Sequence, residues 1–343
     1  MVAETLMGVA RGLIYPMTEP LAPTNPFVVL RDSAPSDALR GAVVAIGNFD
    51  GVHRGHRAVI AAALARAEMA GRPAAALTFE PHPAAVLRPQ QPMFRLTDPG
   101  GKLRLLAATG LDGAVVLTFD AGLASLSPEE FVQRILVKRY EIAGATVGFD
   151  FHFGKNRMGS PAFLQGEGAR HGFSVDVLPP LQDEGRPVSS GTIRTALAAG
   201  RVIEAAELLG YPWFASATVI AGDRRGRELG YPTANMRLDP ACGLKHGIYA
   251  VRVGVGGRLH DAVASFGRRP MFDNGAPLLE VFLFDFDGDL YGQSLDVAFI
   301  AWIRQERQFD SIEALVRQMD EDSALAREAL ARAPAAFPAL GDI

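Results

Sequence analysis

The sequence predicts two successive domains, an α/β domain followed by an antiparallel β-barrel with a closing helix. The length of 343 residues exceeds one ordinary domain of about 100 to 200 residues. The first half alternates short β-branched runs with helical stretches, and the second half shows short strands separated by glycine turns. We expect a flexible N-terminal extension, a first domain, a helical connector and a second domain over residues 1–27, 28–186, 187–212 and 213–335.

The composition is that of a globular, slightly acidic protein. Hydrophobic residues make up 48% of the chain, charged residues 21%, and the net charge is −4, which does not favour nucleic acid as a partner. No apolar stretch approaches the roughly 18 residues that span a bilayer, so we expect no membrane association. The single cysteine, Cys242, rules out a disulfide framework and fits a cytoplasmic location.

The first half has the pattern of a parallel sheet flanked by helices. A β-branched run predicts a strand at Val43–Ile46, and Gly71 is placed to end the helix that follows it. Further strands are predicted over residues 74–79, 113–119, 145–148 and 173–178, and Ser127 begins a helix with a capping box. Ligands of such sheets bind beyond the carboxyl ends of the strands, where we therefore look for chemistry.

The segment after the first predicted strand reads Gly-Asn-Phe-Asp-Gly-Val-His-Arg-Gly-His. Backbone amides and the helix dipole make a helix N-terminus an anion site, and His53 and His56 can donate hydrogen bonds to developing negative charge. These residues predict attack at a nucleotide phosphate, with nucleotide contacts from Gly47, Asn48, Phe49, Asp50, Gly51 and Gly55. Alternatively, the histidines are a capping or core pair; a zinc site would need more ligands.

Three later segments offer further polar groups near predicted strand ends or helix starts. Their candidates are Pro81 with His82, then Asp150 with Arg157, and finally Ser189 and Ser190 followed by Arg194. Arginine and serine there suit phosphate contacts. The alternatives are a turn fixed by prolines, a packed aromatic loop and an ordinary capped helix.

The second half alternates like a series of hairpins and then turns helical. Strands are predicted over residues 216–220, 248–253, 260–265, 279–284 and 295–300, after a connector helix at Val202–Leu209. A cap at residues 310–313 begins a helix with an apolar stripe that we expect to be core, formed by Ile312, Leu315, Val316 and Met319.

Residues 222–235 carry the polar groups of the second half. The chain has neither a Walker A loop nor a Gly-x-Gly-x-x-Gly motif, so phosphates must be held by other means. Thr233 and Asn235 offer neutral oxygens to Mg²⁺, while amides and a guanidinium come from Gly222, Gly226, Arg227 and Gly230. A basic surface turn followed by a strand is the alternative interpretation.

One glutamate, Glu280, interrupts an apolar strand of the second half. Burying an unpaired carboxylate is costly, so a buried position requires a functional or structural reason. If its face of the strand is exposed, Glu280 is an ordinary solvated residue. Taken on its own, the run at residues 285–292 predicts a hairpin turn.

The motifs of the first half resemble the nucleotidyltransferase module of the bacterial bifunctional riboflavin kinase/FAD synthetase family. They are His53-Arg54-Gly55-His56 within residues 47–56, then residues 78–83, 148–159 and 189–194. The resemblance implies a Rossmann-like domain in which the two histidines stabilise charge as the phosphate of FMN attacks the α-phosphate of ATP, with Mg²⁺. Gly191 departs from the threonine usual in the family, at a cost of about 1 kcal/mol if that hydroxyl were a cap.

The motifs of the second half resemble the riboflavin kinase module of the same family, a β-barrel. They are Gly-Tyr-Pro-Thr-Ala-Asn at residues 230–235, then residues 247–251, 279–281 and 285–292. The resemblance implies that Thr233 and Asn235 bind Mg²⁺ and ATP phosphates and that Glu280 is the general base. Phe282 and Met271 depart from the usual residues without touching these positions.

The resemblance covers about residues 28–330 and implies a bifunctional enzyme. It would phosphorylate riboflavin to FMN and then adenylylate FMN to FAD, with ATP as co-substrate in both steps. Its partners would be the small molecules riboflavin, FMN, FAD and ATP. Two alternatives stay open, a riboflavin kinase with a weakened adenylyltransferase half and a non-catalytic flavin- or nucleotide-binding regulator.

Overall fold

The structure is a computed structural model that describes residues 26–33, 36–183, 185–221, 230–268 and 277–343. The chain forms two compact units. The first contains the described residues up to Met93 together with Pro99–Ser190 and Ala339–Ile343. The second contains Phe94–Asp98 and the described residues from Gly191 to Pro338.

A six-stranded parallel sheet forms the centre of the first unit. Its strands are β1 (Val28–Arg31), β2 (Val43–Ile46), β3 (Ala74–Glu80), β4 (Gly113–Thr118), β5 (Gly144–Gly148) and β6 (Ser174–Leu178). They are arranged in the order β1-β4-β3-β2-β5-β6. Every residue of β2 is buried, as a continuous β-branched run requires. The predicted parallel α/β sheet is confirmed.

The strand β1 was not predicted from the sequence. It lies at the edge of the sheet, where Val28 pairs with Gly113 of β4. Three of its four residues are half-buried and Arg31 is exposed. A short edge strand with little burial has neither a clear alternation nor a continuous apolar run, so its pattern is weak.

The helices of the first unit begin and end with recognisable caps. They are α1 (Arg54–Ala70), α2 (Pro83–Leu87), α3 (Pro99–Ala107), α4 (Ala121–Ser125), α5 (Pro128–Glu130) and α6 (Pro161–His171). Gly71 ends α1 in the left-handed conformation at φ 60°. Ser127 and Glu130 form the predicted capping box, and the chain then continues as a π-helix over Phe131–Arg139.

The sheet order brings three loops together. The strands β3, β2 and β5 are neighbours, and all three are parallel. Their carboxyl ends therefore lie at one edge of the sheet, and the loops that follow them leave from that edge. A short ribbon, β7 (Gln182–Asp183) with β8 (Arg186–Pro187), completes the first unit.

The second unit is a closed antiparallel barrel, as predicted. Its strands are β9 (Phe214–Ile220), β10 (Ala234–Arg237), β11 (Gly247–Val255), β12 (Arg258–Arg268), β13 (Pro277–Leu283) and β14 (Ser294–Arg304). They close in the order β10-β13-β12-β11-β14-β9. Tyr249, Phe266 and Phe299 are almost wholly buried, which is typical of large side chains that fill a small barrel.

Two local predictions for the barrel differ from the structure. The short strand β10 was not among the predicted strands; two of its four residues are buried. The hairpin predicted at residues 285–292 is wrong, because β13 and β14 are not neighbours in the barrel. The hairpin pattern was local, whereas strand order is set by pairing between residues far apart in the chain.

Two connector helices precede the barrel, α7 (Ser190–Ala198) and α8 (Val202–Leu209). Gly200 and Gly210, which follow these two helices, have left-handed φ angles of 78° and 81°. In the ranges that the structure describes, no helix is long and apolar enough to cross a membrane.

The closing helix α9 (Ile312–Arg332) begins at Ser311, whose hydroxyl accepts a hydrogen bond from the Ala314 amide at 3.1 Å. It packs through Ala326 and Leu330, which join a core cluster with Ala250 and Phe284 of the second unit. A buried ion pair between Arg304 and Asp322 also connects the helix to β14.

The apolar stripe of α9 is less buried than predicted. Ile312 is 62% exposed, and Leu315, Val316 and Met319 are only half-buried. The main buried positions are further along the helix, at Asp322, Ala326 and Leu330. Helical spacing identifies a face, but it does not say how far along that face the neighbouring layer extends.

Candidate active sites

The loop between β2 and α1 has a strained backbone conformation. Gly51 has a φ of 85°, but Phe49 and Val52 also have positive φ angles, 50° and 35°. Such angles cost about 1–3 kcal/mol in a residue with a side chain, and a β-branched valine is an unusual case. Both side chains are almost completely buried, so packing holds this loop in its strained shape.

His53 caps the helix that follows the loop. Its Nδ1 accepts a hydrogen bond from the His56 backbone amide at 3.2 Å, and the side chain is buried. The two rings are stacked with centroids 3.6 Å apart. Because an accepting Nδ1 carries no proton, a neutral His53 is protonated on Nε2, the atom that can donate to a ligand. Capping and charge stabilisation, the two sequence-based interpretations, are thus compatible.

The helix behind this loop supports an anion site. α1 is 17 residues long, and its N-terminus carries the partial positive charge of the aligned peptide dipoles. Gly55 is in its first turn, where a Cβ would lie 3.1 Å from Cε1 of His53 and 3.2 Å from the Val188 carbonyl. The glycine therefore lets the His53 ring pack directly against the first turn.

The loop after β3 places another histidine at a helix start. The Glu80–Pro81 peptide is cis, and Nδ1 of His82 accepts a hydrogen bond from the Ala84 amide at 3.1 Å. The capping geometry again leaves Nε2 as the nitrogen that can donate. The turn interpretation of this segment is therefore correct in part, and it does not exclude a binding role.

The loop after β5 presents exposed polar groups over a packed aromatic base. Asp150 and Arg157 are both exposed, and Arg157 has a φ of 59°. In the same loop the rings of Phe151 and Phe153 are stacked with centroids 5.4 Å apart, and Phe153 pairs with Gly159 in an isolated bridge. Aromatic packing therefore shapes the loop while leaving its charged side chains available to a ligand.

The serine segment is connected to the glycine loop. The Ser190 hydroxyl donates to the Asp50 carbonyl at 2.9 Å, and the helix α7 begins at Ser190, directly after Ser189. Within the second unit, Nε of Arg194 donates to the Phe94 carbonyl at 2.6 Å. This hydrogen bond holds the guanidinium of Arg194 against the backbone at Phe94.

The barrel brings its predicted residues together on adjacent strands. In the register of β10 and β13, Asn235 pairs with Glu280, and Ser265 of β12 pairs with Glu280 on the other side. Thr233 lies just before β10, and its carbonyl accepts a hydrogen bond from Nδ2 of Asn235 at 3.1 Å. Residues opposite each other in register point to the same face. The structure therefore places Asn235 beside Glu280, 45 residues later in the chain.

Glu280 is on the less buried face of its strand. It is half-buried like Phe282, whereas Leu279, Val281 and Leu283 on the other face are buried. This position fits neither a fully buried carboxylate nor an ordinary solvated one. The accessible carboxylate avoids the full cost of burial and can still contact a ligand on that face.

A second carboxylate lies near Glu280. The carboxyl group of Glu306 lies against Gly267, where a Cβ would be only 2.2 Å from its Oε1. Partial burial, together with the Glu280 carboxylate, raises the pKa of Glu306 above its usual value, although His246 and a hydrogen bond with Ser265 act against this. Two carboxyl groups, those of Glu280 and Glu306, therefore influence each other here, and Arg304 and His246 also act on Glu306.

A cavity adjoins Thr233 and reveals residues that sequence reasoning did not assign. Its lining includes Thr233 and much of the segment that was predicted to be a hairpin turn: Phe286, Gly288, Asp289, Leu290 and Tyr291. The only earlier signal was the likeness of this run to the kinase motif. The crossover from β13 to β14 is what brings the segment to the cavity.

The structure describes only part of the segment at residues 222–235. Gly222, Gly226 and Arg227, predicted to contact phosphate, lie outside the described residues. Gly230 is described, exposed and left-handed, with a φ of 83°. This conformation favours glycine at the start of the Gly-Tyr-Pro-Thr-Ala-Asn run.

The donor atoms near Thr233 fit a hard cation bound together with phosphates. Thr233 provides a hydroxyl, and Asn235 provides Oδ1 because its Nδ2 is directed to a carbonyl. Mg²⁺ prefers oxygen ligands and usually shares them with substrate phosphates. In the described ranges no cluster of three or more histidine, cysteine or acidic side chains could hold a metal. A magnesium ion at this position would therefore rely on nucleotide phosphates for further ligands.

These two arrangements define a class of protein. The arrangement is that expected of a two-domain, nucleotide-dependent transferase: a parallel sheet with a glycine–histidine loop at a helix N-terminus, followed by a barrel with Thr233, Asn235 and Glu280.

Comparison with known proteins identifies the family. Residues 36–192 match the FAD synthetase family model, and residues 209–330 match the riboflavin kinase model. The bifunctional riboflavin kinase/FMN adenylyltransferase of Pseudomonas fluorescens is 42% identical over 84% of this chain and 93% of that relative. Those of Escherichia coli K12 and Bacillus subtilis are 37% and 36% identical, over 84% and 82% of this chain and 92% and 90% of theirs. The chain belongs to the bifunctional riboflavin kinase/FMN adenylyltransferase family.

One solved structure is similar along most of the chain. It is described as a macrolide-efflux protein from Streptococcus pneumoniae, and it is 31% identical with a TM-score of 0.79. The match covers 88% of this chain and 99% of that one. It supports the two-domain fold; its description differs from the family models and curated relatives, which agree with each other.

Proposed function

We propose that this chain converts riboflavin to FMN with one ATP and then converts FMN to FAD with a second ATP, releasing pyrophosphate. The register that places Asn235 beside Glu280 carries the kinase half of the proposal. The capped histidine pair at the N-terminus of α1 carries the adenylyltransferase half. The family membership supplies the flavin, which the geometry alone does not identify.

In the kinase step, Glu280 acts as the general base. Its carboxylate accepts the proton of the riboflavin 5′-hydroxyl as that oxygen attacks the γ-phosphorus of ATP, and ADP leaves. Thr233 and Asn235 would hold Mg²⁺, which would supply charge neutralisation to the phosphates. The cavity beside Thr233 is where the nucleotide would contact residues 286–291.

In the adenylyltransferase step, the protein positions two substrates without forming a covalent intermediate. A phosphate oxygen of FMN attacks the α-phosphorus of ATP, and the bond to pyrophosphate breaks. Nε2 of His53 and the His56 side chain donate hydrogen bonds to the negative charge that develops, and the first-turn amides of α1 contribute to the same field. No protein nucleophile takes part.

We propose that the remaining candidates are binding groups. We assign flavin or nucleotide contacts in the first unit to the glycine loop (Gly47, Asn48, Phe49, Asp50, Gly51 and Gly55) and to Pro81, His82, Asp150, Arg157, Ser189 and Ser190. Arg194 is proposed to contact phosphate through its terminal nitrogens. Gly222, Gly226, Arg227 and Gly230 would contribute to the kinase site. A cytoplasmic location accords with substrates such as ATP and with the single, buried cysteine.

One coupled assay tests the proposal. Purified protein is incubated with riboflavin, ATP and Mg²⁺, and FMN and FAD are separated over time; we expect FMN first and FAD later. A protein that stops at FMN would be a kinase with a weakened second half. Flavin binding without any turnover would indicate the non-catalytic regulator instead.

The base assignment is tested by Glu280→Gln. Removing the carboxylate while keeping its shape should lower the rate of FMN formation by about 10²–10⁴-fold, the range for a general base. Glu68→Gln, an exposed substitution near the end of α1, should leave it unchanged. An E280Q protein with an unaltered kinase rate would show that the base is another group.

A further inference from the structure

Lys102, on α3 of the first unit, is buried to an extent that lysine rarely reaches. Only 1% of the residue is exposed, and it lies near the start of the helix, where the dipole opposes a positive charge. Lysine is almost never fully buried unless its ammonium group is paired. Four acceptors surround this one.

The ammonium group contacts the end of β3 and the loop that follows β2, both of which lead to the candidate adenylyl-transfer site. Nζ lies 2.6 Å from Oε1 of Glu80, 3.1 Å from the Phe79 carbonyl and 3.2 Å from the Thr78 hydroxyl oxygen. It also lies 3.4 Å from the carbonyl of Asn48. The Thr78 hydroxyl donates to that same carbonyl at 3.2 Å.

These contacts join two loops that carry proposed site residues. Asn48 is two residues beyond the end of β2, in the loop that leads to His53. Glu80 ends the neighbouring strand β3 and precedes Pro81 and His82. Lys102 comes from neither strand, so it connects the starts of both loops from outside the sheet.

Stability alone is a weak reason for such an arrangement. Replacing a buried ion pair by apolar residues of similar volume is often neutral or stabilising, so packing needs do not require a lysine here. An ammonium group does what an apolar side chain cannot, because it holds several oxygens at fixed distances. Small displacements of groups that act on a transition state cost large factors in rate.

We propose that Lys102 is a positioning residue for adenylyl transfer: by holding the Asn48 carbonyl and the Glu80 carboxylate it keeps the His53 loop and the His82 turn in their working arrangement. This inference rests on the proposed function of the first unit. It involves no contact between Lys102 and substrate.

The test uses the full-length protein with Lys102→Met and the double variant Lys102→Met/Glu80→Gln. The double variant removes both charges, which avoids leaving one buried carboxylate unpaired. FAD formation from FMN is measured to separate kcat from KM, and FMN formation from riboflavin in the same preparation serves as the control. Thermal unfolding is recorded for each protein.

We expect the double variant to remain folded, to keep the wild-type kinase rate and to lose about 10- to 100-fold in the kcat of FAD formation. Its KM values should change less than kcat, because the two histidines act mainly on the transition state. A folded double variant with wild-type kcat would overturn the inference. A purely structural role would lower the unfolding temperature without a selective loss in kcat.

Should the double variant unfold, Thr78→Val decides the question. It removes only the hydroxyl that contacts both Lys102 and the Asn48 carbonyl, and it should lower the same kcat several-fold. An unchanged kcat in that variant would contradict the inference. If the wild type itself forms no FAD, the proposed function and the inference both fail; an active wild type with an equally active variant contradicts the inference alone.

Discussion

At Gly55, the addition of one methyl group should slow FAD formation and leave FMN formation unchanged. In Gly55→Ala the new Cβ would lie 3.1 Å from the His53 ring and 3.2 Å from the Val188 carbonyl, so the ring must move. We expect FAD formation from FMN to slow by roughly 10-fold, with FMN formation unchanged. Steady-state rates of the two half-reactions check this.

Gly166→Ala is the matched control for Gly55→Ala. Gly166 also lies in a helix of the first unit, and a Cβ there would meet nothing within 4 Å. Both rates should be retained, and stability should rise by up to about 1 kcal/mol because alanine favours the helix. Equal rates of FAD formation in Gly55→Ala and Gly166→Ala would show that the contact between residue 55 and the His53 ring does not matter for this activity.

Tyr231 should make stability depend on pH in the alkaline range. Burial, and then the hydrogen bond to Asp320, raise the pKa of Tyr231 to about 12 from 10.0. Because the folded state holds this proton more tightly than the unfolded state, the protonated Tyr231 hydroxyl stabilises the fold. This stabilisation is complete below pH 10 and is lost as the pH rises through 12. Wild type should therefore lose stability relative to Tyr231→Phe. The difference between their free energies of unfolding should decrease by about 1–3 kcal/mol between pH 10 and 12.

Urea unfolding at several pH values measures the Tyr231 effect. The comparison with Tyr231→Phe cancels the other groups that titrate at alkaline pH. A constant difference between wild type and Y231F across this range would contradict the assignment.

The closing helix α9 depends on a guanidinium group at its C-terminal end. Arg252 of β11 is buried, donates to the carbonyls of Leu330, Ala333 and Pro334, and pairs with Asp261 at 3.2 Å. Arg252→Met would leave these carbonyls without that donor, at a cost of about 2–4 kcal/mol. Hydrogen exchange should accelerate in the last turn of the helix, whereas the exposed Arg317→Met should leave it unchanged.

Burial along α9 also predicts where truncation matters. Leu330 is 1% exposed and Ile312 is 62% exposed. Leu330→Ala should therefore lower the free energy of unfolding by about 2–5 kcal/mol. Ile312→Ala should change it by less than about 0.5 kcal/mol, as surface substitutions usually do. Chemical denaturation measures the free energy of unfolding of both variants. Similar losses of stability in the two would mean that the N-terminal part of the apolar stripe belongs to the core.

Two units with separate cores and separate sites should work in separate molecules. We predict that Glu280→Gln protein, which should be slow to make FMN, and His53→Ala protein, which should be slow to make FAD, will together convert riboflavin to FAD faster than either variant alone. The FMN released by one variant would supply the other, with a lag that shortens as protein concentration rises. Time courses of the mixture and of each variant alone measure this. No FAD in the mixture would show that one molecule must carry out both steps.

The local sequence pattern correctly predicted several features that depend on a single helix or strand. The capping box at Ser127, the left-handed Gly71 and the strand Val43–Ile46 lie where the sequence predicts them. Each depends on nearest neighbours along the chain, through hydrogen bonds and backbone conformations that side-chain type largely controls. The edge strand β1 and the short strand β10 escaped because their residues show little of such a pattern.

The sequence alone established three things: the residue types needed for the chemistry, the alternation of strands and helices, and the family motifs. All three could be read from the chain because composition and local period are properties of neighbouring residues. Long-range pairing decided the rest. Asn235 is beside Glu280 because β10 pairs with β13, residues 286–291 reach Thr233 because β13 and β14 are not neighbours, and Lys102 meets Asn48 through a helix distant in sequence. Such contacts form only when strand order and register are set, and no local pattern encodes that order.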